Sequence, residues 1–91
     1  LWGTGDNREG QLGLGDTAPR ANLQPIATRV IQVAANESNY AVLFLTEDGT
    51  LWGAGYLYPL IDSFAIQTKP VPIATGVARF SFLFSFAAYI K

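Results

Sequence analysis

The sequence predicts an all-β fold, and three observations carry that expectation. Apolar stretches are short and rich in β-branched and aromatic residues, an Asp-Gly pair stands between two of them, and no stretch shows helical periodicity bounded by caps. Residues 30–35 (Val-Ile-Gln-Val-Ala-Ala) and 40–46 (Tyr-Ala-Val-Leu-Phe-Leu-Thr) read as strands separated by the polar cluster 36–39. Glu47-Asp48-Gly49 then separates the second strand from a third at 50–55. Asp-Gly takes positive φ at little cost, so this is the strongest hairpin signal in the chain. The 40–46 strand does not alternate apolar with polar residues and is therefore expected to be covered on both faces. The segment 80–90, apolar but for Ser81 and Ser85, has eleven residues; a membrane-spanning helix takes roughly 20, so it reads as one or two further strands. High β-propensity, low charge and no proline mark it as an aggregation-prone edge, where Lys at Phe82 or Phe84 is expected to raise solubility.

An internal repeat organises these strands. Leu1-Trp2-Gly3-Thr4-Gly5 returns as Leu51-Trp52-Gly53-Ala54-Gly55, and Pro25-Ile26-Ala27-Thr28 returns as Pro72-Ile73-Ala74-Thr75. Val30 then aligns with Val77, Ala41 with Ala88 and Leu43 with Ile90. The second copy is three residues shorter between its two blocks. One domain spans residues 1–91, the first copy at about 1–50 and a divergent, truncated second copy at about 51–91. Small antiparallel sheets of about 50 residues, each packed on the next, are the blades of a β-propeller. About two blades are expected here. A closed propeller takes at least four, about 200 residues at this period, so the chain is expected to be a fragment of a larger one.

Composition removes most enzyme chemistry. The 91 residues include no His and no Cys, which excludes a thiolate nucleophile, a Ser-His-Asp triad and a disulfide framework. A net charge of −1 offers no footprint for a nucleic-acid backbone. The first residue is Leu1, and Leu-Trp-Gly is no signal-peptide start.

Leu1-Trp-Gly-Thr-Gly-Asp-Asn, then Gly10-Gln-Leu-Gly-Leu-Gly-Asp16, then Val30-Ile-Gln-Val-Ala-Ala-Asn, then Leu45-Thr-Glu-Asp-Gly-Thr-Leu-Trp-Gly53 resemble the regulator of chromosome condensation repeat. The resemblance covers residues 1–55 and weakens from Tyr56 onward, where no Gly-Gln-Leu-Gly counterpart occurs. Asn36 stands where that family often has Gly, and Asn39 where it often has His. The resemblance implies a seven-bladed propeller scaffold used for partner binding. Some members of the family exchange guanine nucleotide on a small GTPase.

The candidate sites divide into structural and functional readings. Gly10–Asp16 lacks the Lys and the following helix of a phosphate loop and reads as a tight loop whose glycines take positive φ. Asp6 and Asp16 flank it and are expected to tie its backbone amides; Glu47 and Asp48 sit in an exposed turn. No run of oxygen ligands suits a metal, and no cofactor is expected. Asn36-Glu37-Ser38 fits a glycosylation pattern. Trp2 and Trp52 read as core residues, with a base- or sugar-stacking platform as the alternative. The loop residues Asn7, Arg8 and Glu9 and, after the second Gly-x-Gly block, Tyr56 and Tyr58 are the candidates for partner binding, since Tyr and Arg are favoured at protein interfaces. The expected function is a non-enzymatic protein–protein interaction module, its partners another protein and the remaining blades of the parent chain. Part of a guanine-nucleotide exchange factor and a cell-surface or carbohydrate-binding module are the alternatives.

Overall fold

Turn residues cut the chain into short extended segments, and each segment finds its partner next in sequence. The computed structural model describes residues 1–36, 41–57, 65–83 and 86–90. All its elements are strands: β1 (Trp2–Gly5), β2 (Arg20–Pro25), β3 (Val30–Asn36), β4 (Ala41–Thr46), β5 (Leu51–Gly55), β6 (Gln67–Ala74), β7 (Arg79–Leu83) and β8 (Phe86–Ile90). Every pairing is antiparallel. The strands form a pair β1-β2, a four-stranded sheet in the order β3-β4-β5-β6, and a pair β7-β8. The three strands expected from the pattern around Asp-Gly are β3, β4 and β5. Proline obscures β6, because it cannot donate to a ladder and argues against a central strand, while β2 has no β-branched or aromatic residue to mark it. Pro70 and Pro72 are tolerated because β6 is the edge of its sheet.

The Asp-Gly turn is built as its sequence demands. Gly49 has φ of 84°, and the Asp48 carboxylate accepts from the Thr46 hydroxyl at 2.6 Å and the Thr50 amide at 3.0 Å. The turn sets Phe44 opposite Trp52 and Leu43 opposite Gly53. Alternation then sends Leu43, Leu45 and Leu51 to one face of the sheet and Phe44 and Trp52 to the other. On the first face Leu43, Leu45, Leu51 and Leu57 pack with Val77 and Phe80 from the β7 side, forming the core. Phe44 on the second face is also buried, so β4 is covered on both sides.

Two devices hold the sheets together. Gln32 uses its side-chain amide as a surrogate backbone: Nε2 donates to the Phe80 carbonyl at 2.6 Å, and Oε1 accepts from the Phe80 amide at 3.3 Å. This clamps β7 onto β3. On the other side the loop from Gly10 to Gly15 docks on β6, the Gly15 amide donating to the Thr68 carbonyl at 2.8 Å.

The repeated sequence blocks meet in space. Trp2 faces Pro25 and Gly3 faces Gln24 in β1-β2; Trp52 faces Pro72 and Gly53 faces Val71 in β5-β6. Both pairs carry an irregularity between the two glycines, Gly3 and Gly5 or Gly53 and Gly55. A Cβ on Gly3 would lie 2.6 Å from Ile26 Cδ1, and one on Gly53 would lie 2.8 Å from Ile73 Cδ1. Gly of the Trp-Gly block is therefore the space that Ile of the Pro-Ile block fills. The β7-β8 pairing shifts one alignment read from sequence. Gln32 faces Leu45 while Arg79 faces Ile90, so on the offset that matches Val30 with Val77, Ile90 stands in the place of Leu45 rather than Leu43. The second hairpin is two residues tighter.

Candidate functional site

The loop between β1 and β2 is organised by one buried side chain. Asn7 is 0% exposed. Its Nδ2 donates to the carbonyls of Asp16 and Ala18 at 3.0 and 2.9 Å and to Asp16 Oδ1 at 3.1 Å, while Oδ1 accepts from the Leu12 amide at 3.0 Å. Asn7 was a sequence candidate for partner contact; its side chain instead faces inward and closes the loop. In the second copy Leu57 holds the corresponding place, two residues past the Gly-x-Gly block, and is equally buried. An apolar plug there replaces a polar peg.

Gly10, Gly13 and Gly15 have φ of 73°, 69° and 94°, the conformation expected of a tight connection. Asp6 accepts from the Arg8 amide at 3.0 Å and holds the Arg8 guanidinium at 2.7 Å. The Arg8 hydrogen bonds lower the Asp6 carboxyl to about 2. Asp16 accepts from the Ala18 amide and pairs with Arg20 at 2.9 Å, and these contacts, the Arg20 hydrogen bond foremost, lower its pKa. Asp48 is lowered by the Thr46 hydroxyl and the Thr50 amide. All three carboxylates are committed to their own turns. None sits in the apolar surroundings that raise a general acid into the working range.

Of the remaining loop candidates, Arg8 projects to solvent on its Asp6 contact, Glu9 is half-buried with its amide bonded to Gln11 Oε1, and Tyr56 is half-buried. Tyr58, Phe84 and the Glu37-Ser38 part of the glycosylation pattern lie outside the described residues.

The two tryptophans have different surroundings. Trp2 is 63% exposed, which corrects the expectation that it is core. Trp52 is half-buried; its ring stacks on Phe44 with centroids 6.4 Å apart and planes at 15°, and its indole N–H donates to Thr46 Oγ1 at 3.1 Å. This pair lies in the wall of a cleft of about 910 Å³ between the glycine loop and the four-stranded sheet, with Arg29, Glu47 and Lys69 among the residues that line it. Sequence reasoning missed the cleft because its walls come from segments far apart in the chain. Arg29 has φ of 58°, the one non-glycine residue at positive φ among those described, and its guanidinium is 3.7 Å from Glu47. Gly76 has φ of 67° at the corresponding place in the second copy.

Trp2 belongs to a wider set of exposed apolar residues: Leu23 on β2, Ile31 and Val33 on β3, Tyr89 and Ile90 on β8. Together they leave apolar surface on both strand pairs and on β3. No helix among the described residues is long and apolar enough to cross a membrane. No family model matches the chain, and no curated protein matches it in sequence.

Proposed function

We propose that the chain is a non-enzymatic protein–protein interaction module built as blades of a larger β-propeller. The observation that carries the reading is the arrangement of the strands. A four-stranded antiparallel meander has β7 packed on one face and the glycine loop of β1-β2 docked on its other side. Residues of the Trp-Gly and Pro-Ile blocks face each other in the same way in β1-β2 and in β5-β6. On this reading β1-β2 is the second half of one blade and β7-β8 the first half of another. The resemblance to the regulator of chromosome condensation repeat points the same way, and the seating of Asp6, Asp16 and Asp48 in turns favours binding over bond chemistry.

Partner contact is assigned to the surface around Arg8, Glu9 and Tyr56, which a rigid sheet scaffold presents on its connections. The test is affinity capture with the wild-type chain and with an Arg8→Glu/Tyr56→Ala variant, matched for melting temperature. The variant is expected to lose a protein that the wild type retains at defined stoichiometry. Equal capture by both, or retention of no protein by either, overturns the assignment.

A further inference from the structure

We propose that Asp48-Gly49 is a latent site of backbone modification: an aspartate held back from isomerising to isoaspartate by a hydrogen-bond relay from the Trp52 indole through the Thr46 hydroxyl to the Asp48 carboxylate. The site lies within the β4-β5 hairpin and stands whether or not the blade reading does.

Asp-Gly is the dipeptide in which this reaction meets least steric resistance, because glycine has no side chain to screen its amide nitrogen. The reaction is intramolecular. The Gly49 nitrogen attacks the side-chain carboxyl carbon of Asp48, a C–N bond closes a succinimide ring, and the carboxyl hydroxyl leaves as water with the amide hydrogen. Water then opens the ring. Attack at the side-chain carbonyl returns aspartate; attack at the original backbone carbonyl leaves the chain running through the Asp48 β-carbon, which is isoaspartate. The net change is a rearrangement that needs no partner but water, and Asp48 is exposed to it.

In the folded turn both reacting groups are occupied. The Gly49 amide donates to the Thr46 carbonyl at 2.9 Å. Asp48 Oδ1 accepts from the Thr46 hydroxyl at 2.6 Å and from the Thr50 amide at 3.0 Å. The direction of the hydroxyl is set by its neighbour. An indole N–H only donates, so the Trp52 N–H, 3.1 Å from Thr46 Oγ1, makes that oxygen an acceptor and leaves its single proton to give. Asp48 receives it, being closer than the Thr50 carbonyl at 3.2 Å and charged. These contacts, the Thr46 hydroxyl foremost, hold the Asp48 carboxyl below its ordinary range. A carboxylate, unlike the acid, has no hydroxyl to lose as water.

The modification reaches beyond the turn. The Glu47 amide donates to the Arg29 carbonyl at 2.9 Å, and the Gly49 carbonyl accepts from the Val77 amide at 2.8 Å. The hairpin tip therefore ties the connections that lead into β3 and β7. Isoaspartate inserts a methylene into the main chain between these two ties and puts the tip out of register with them. Conversion thus marks chains whose hairpin has opened.

Isoaspartate is read by mass spectrometry of the peptide that spans Asp48, with methyl transfer by an isoaspartyl methyltransferase as a second readout, during incubation at neutral pH. Wild type in urea is expected to convert about tenfold or more faster than folded wild type. Folded Thr46→Val is expected to accelerate by about tenfold or more, the rate equivalent of one hydrogen bond to a charged group. Thr46→Ser keeps the hydroxyl and is expected to stay as slow as wild type. Trp52→Phe keeps a ring beside Phe44 but removes the indole N–H, and is expected to fall between; it carries the comparison should Thr46→Val not fold. Equal conversion of folded and urea-unfolded wild type overturns the protection. Absence of isoaspartate in urea overturns the site itself. Folded Thr46→Val or Trp52→Phe chains as slow as wild type overturn the relay.

Discussion

Asn7 shows how much a loop can rest on one side chain. Each of its polar side-chain atoms is engaged in a buried setting, and a buried donor or acceptor left without a partner costs about 1–3 kcal/mol. Asn7→Ala is expected to lower stability by about that amount in denaturant unfolding. Asn7→Asp is expected to cost more at pH 7, because it sets a carboxylate against the carbonyls of Asp16 and Ala18 and the Asp16 carboxylate. The native carboxylates set a pH dependence of their own. Asp6, Asp16 and Asp48 all titrate below their ordinary value of 3.8 when folded. The unfolded chain therefore binds protons first as pH falls. Their contribution is fully present above about pH 4 and is lost as pH falls toward about 2, where Asp6 titrates in the folded chain. Melting temperature is expected to be flat from pH 7 to about 5 and to fall below about 4. In Arg8→Ala, an NMR titration is expected to return Asp6 toward the ordinary carboxylate range.

Strands pack through a few close approaches, and these decide which substitutions the sheet tolerates. A Cβ on Gly53 would lie within 2.9 Å of side-chain carbons of Ile73, Leu43 and Leu57 together. Overpacking of this kind typically costs about 1–3 kcal/mol, so Gly53→Ala is expected to lower the urea midpoint by a corresponding amount. The Gln32 clamp acts between elements. Gln32→Ala removes both hydrogen bonds to Phe80, and amide exchange at Phe80 is expected to accelerate while Leu43 and Leu45, held by strands on both sides, keep their protection. Uniform acceleration across β4 and β7 would show that the clamp holds the whole core rather than one joint.

Across the whole molecule, stability is expected to be graded from the centre outward. β4 and β5 are paired on both edges and carry Leu43, Leu45 and Leu51, while β1 and β8 have one paired edge among the described residues and exposed aromatic residues. Local opening follows the number of buried contacts and paired amides, so hydrogen exchange is expected to be slowest in β4 and β5 and fastest in β1 and β8. Trp52→Ala removes a half-buried ring stacked on Phe44 and is expected to cost about 2–3 kcal/mol, below the 3–5 of a fully buried aromatic. Trp2→Ala, measured on the monomer, is expected to stay within about 0.5 kcal/mol, as surface substitutions do.

The β class and three of the strands were legible in the chain, because the pattern 30–55 depends on neighbours in sequence: β-branched runs, a covered strand without alternation, and Asp-Gly between. The glycine loop was legible for the same reason. Asn7, Trp2 and the cleft were not. Leu1-Trp2-Gly3 and Leu51-Trp52-Gly53 are the same tripeptide, yet Trp52 lies against Phe44 and Trp2 stands in solvent. Local sequence determines that each block forms a strand and faces its proline. Burial is decided by what packs against that strand from elsewhere in the chain. β4 lies beside β5, while β1 pairs with β2 among the described residues, and that difference exists only in the tertiary structure.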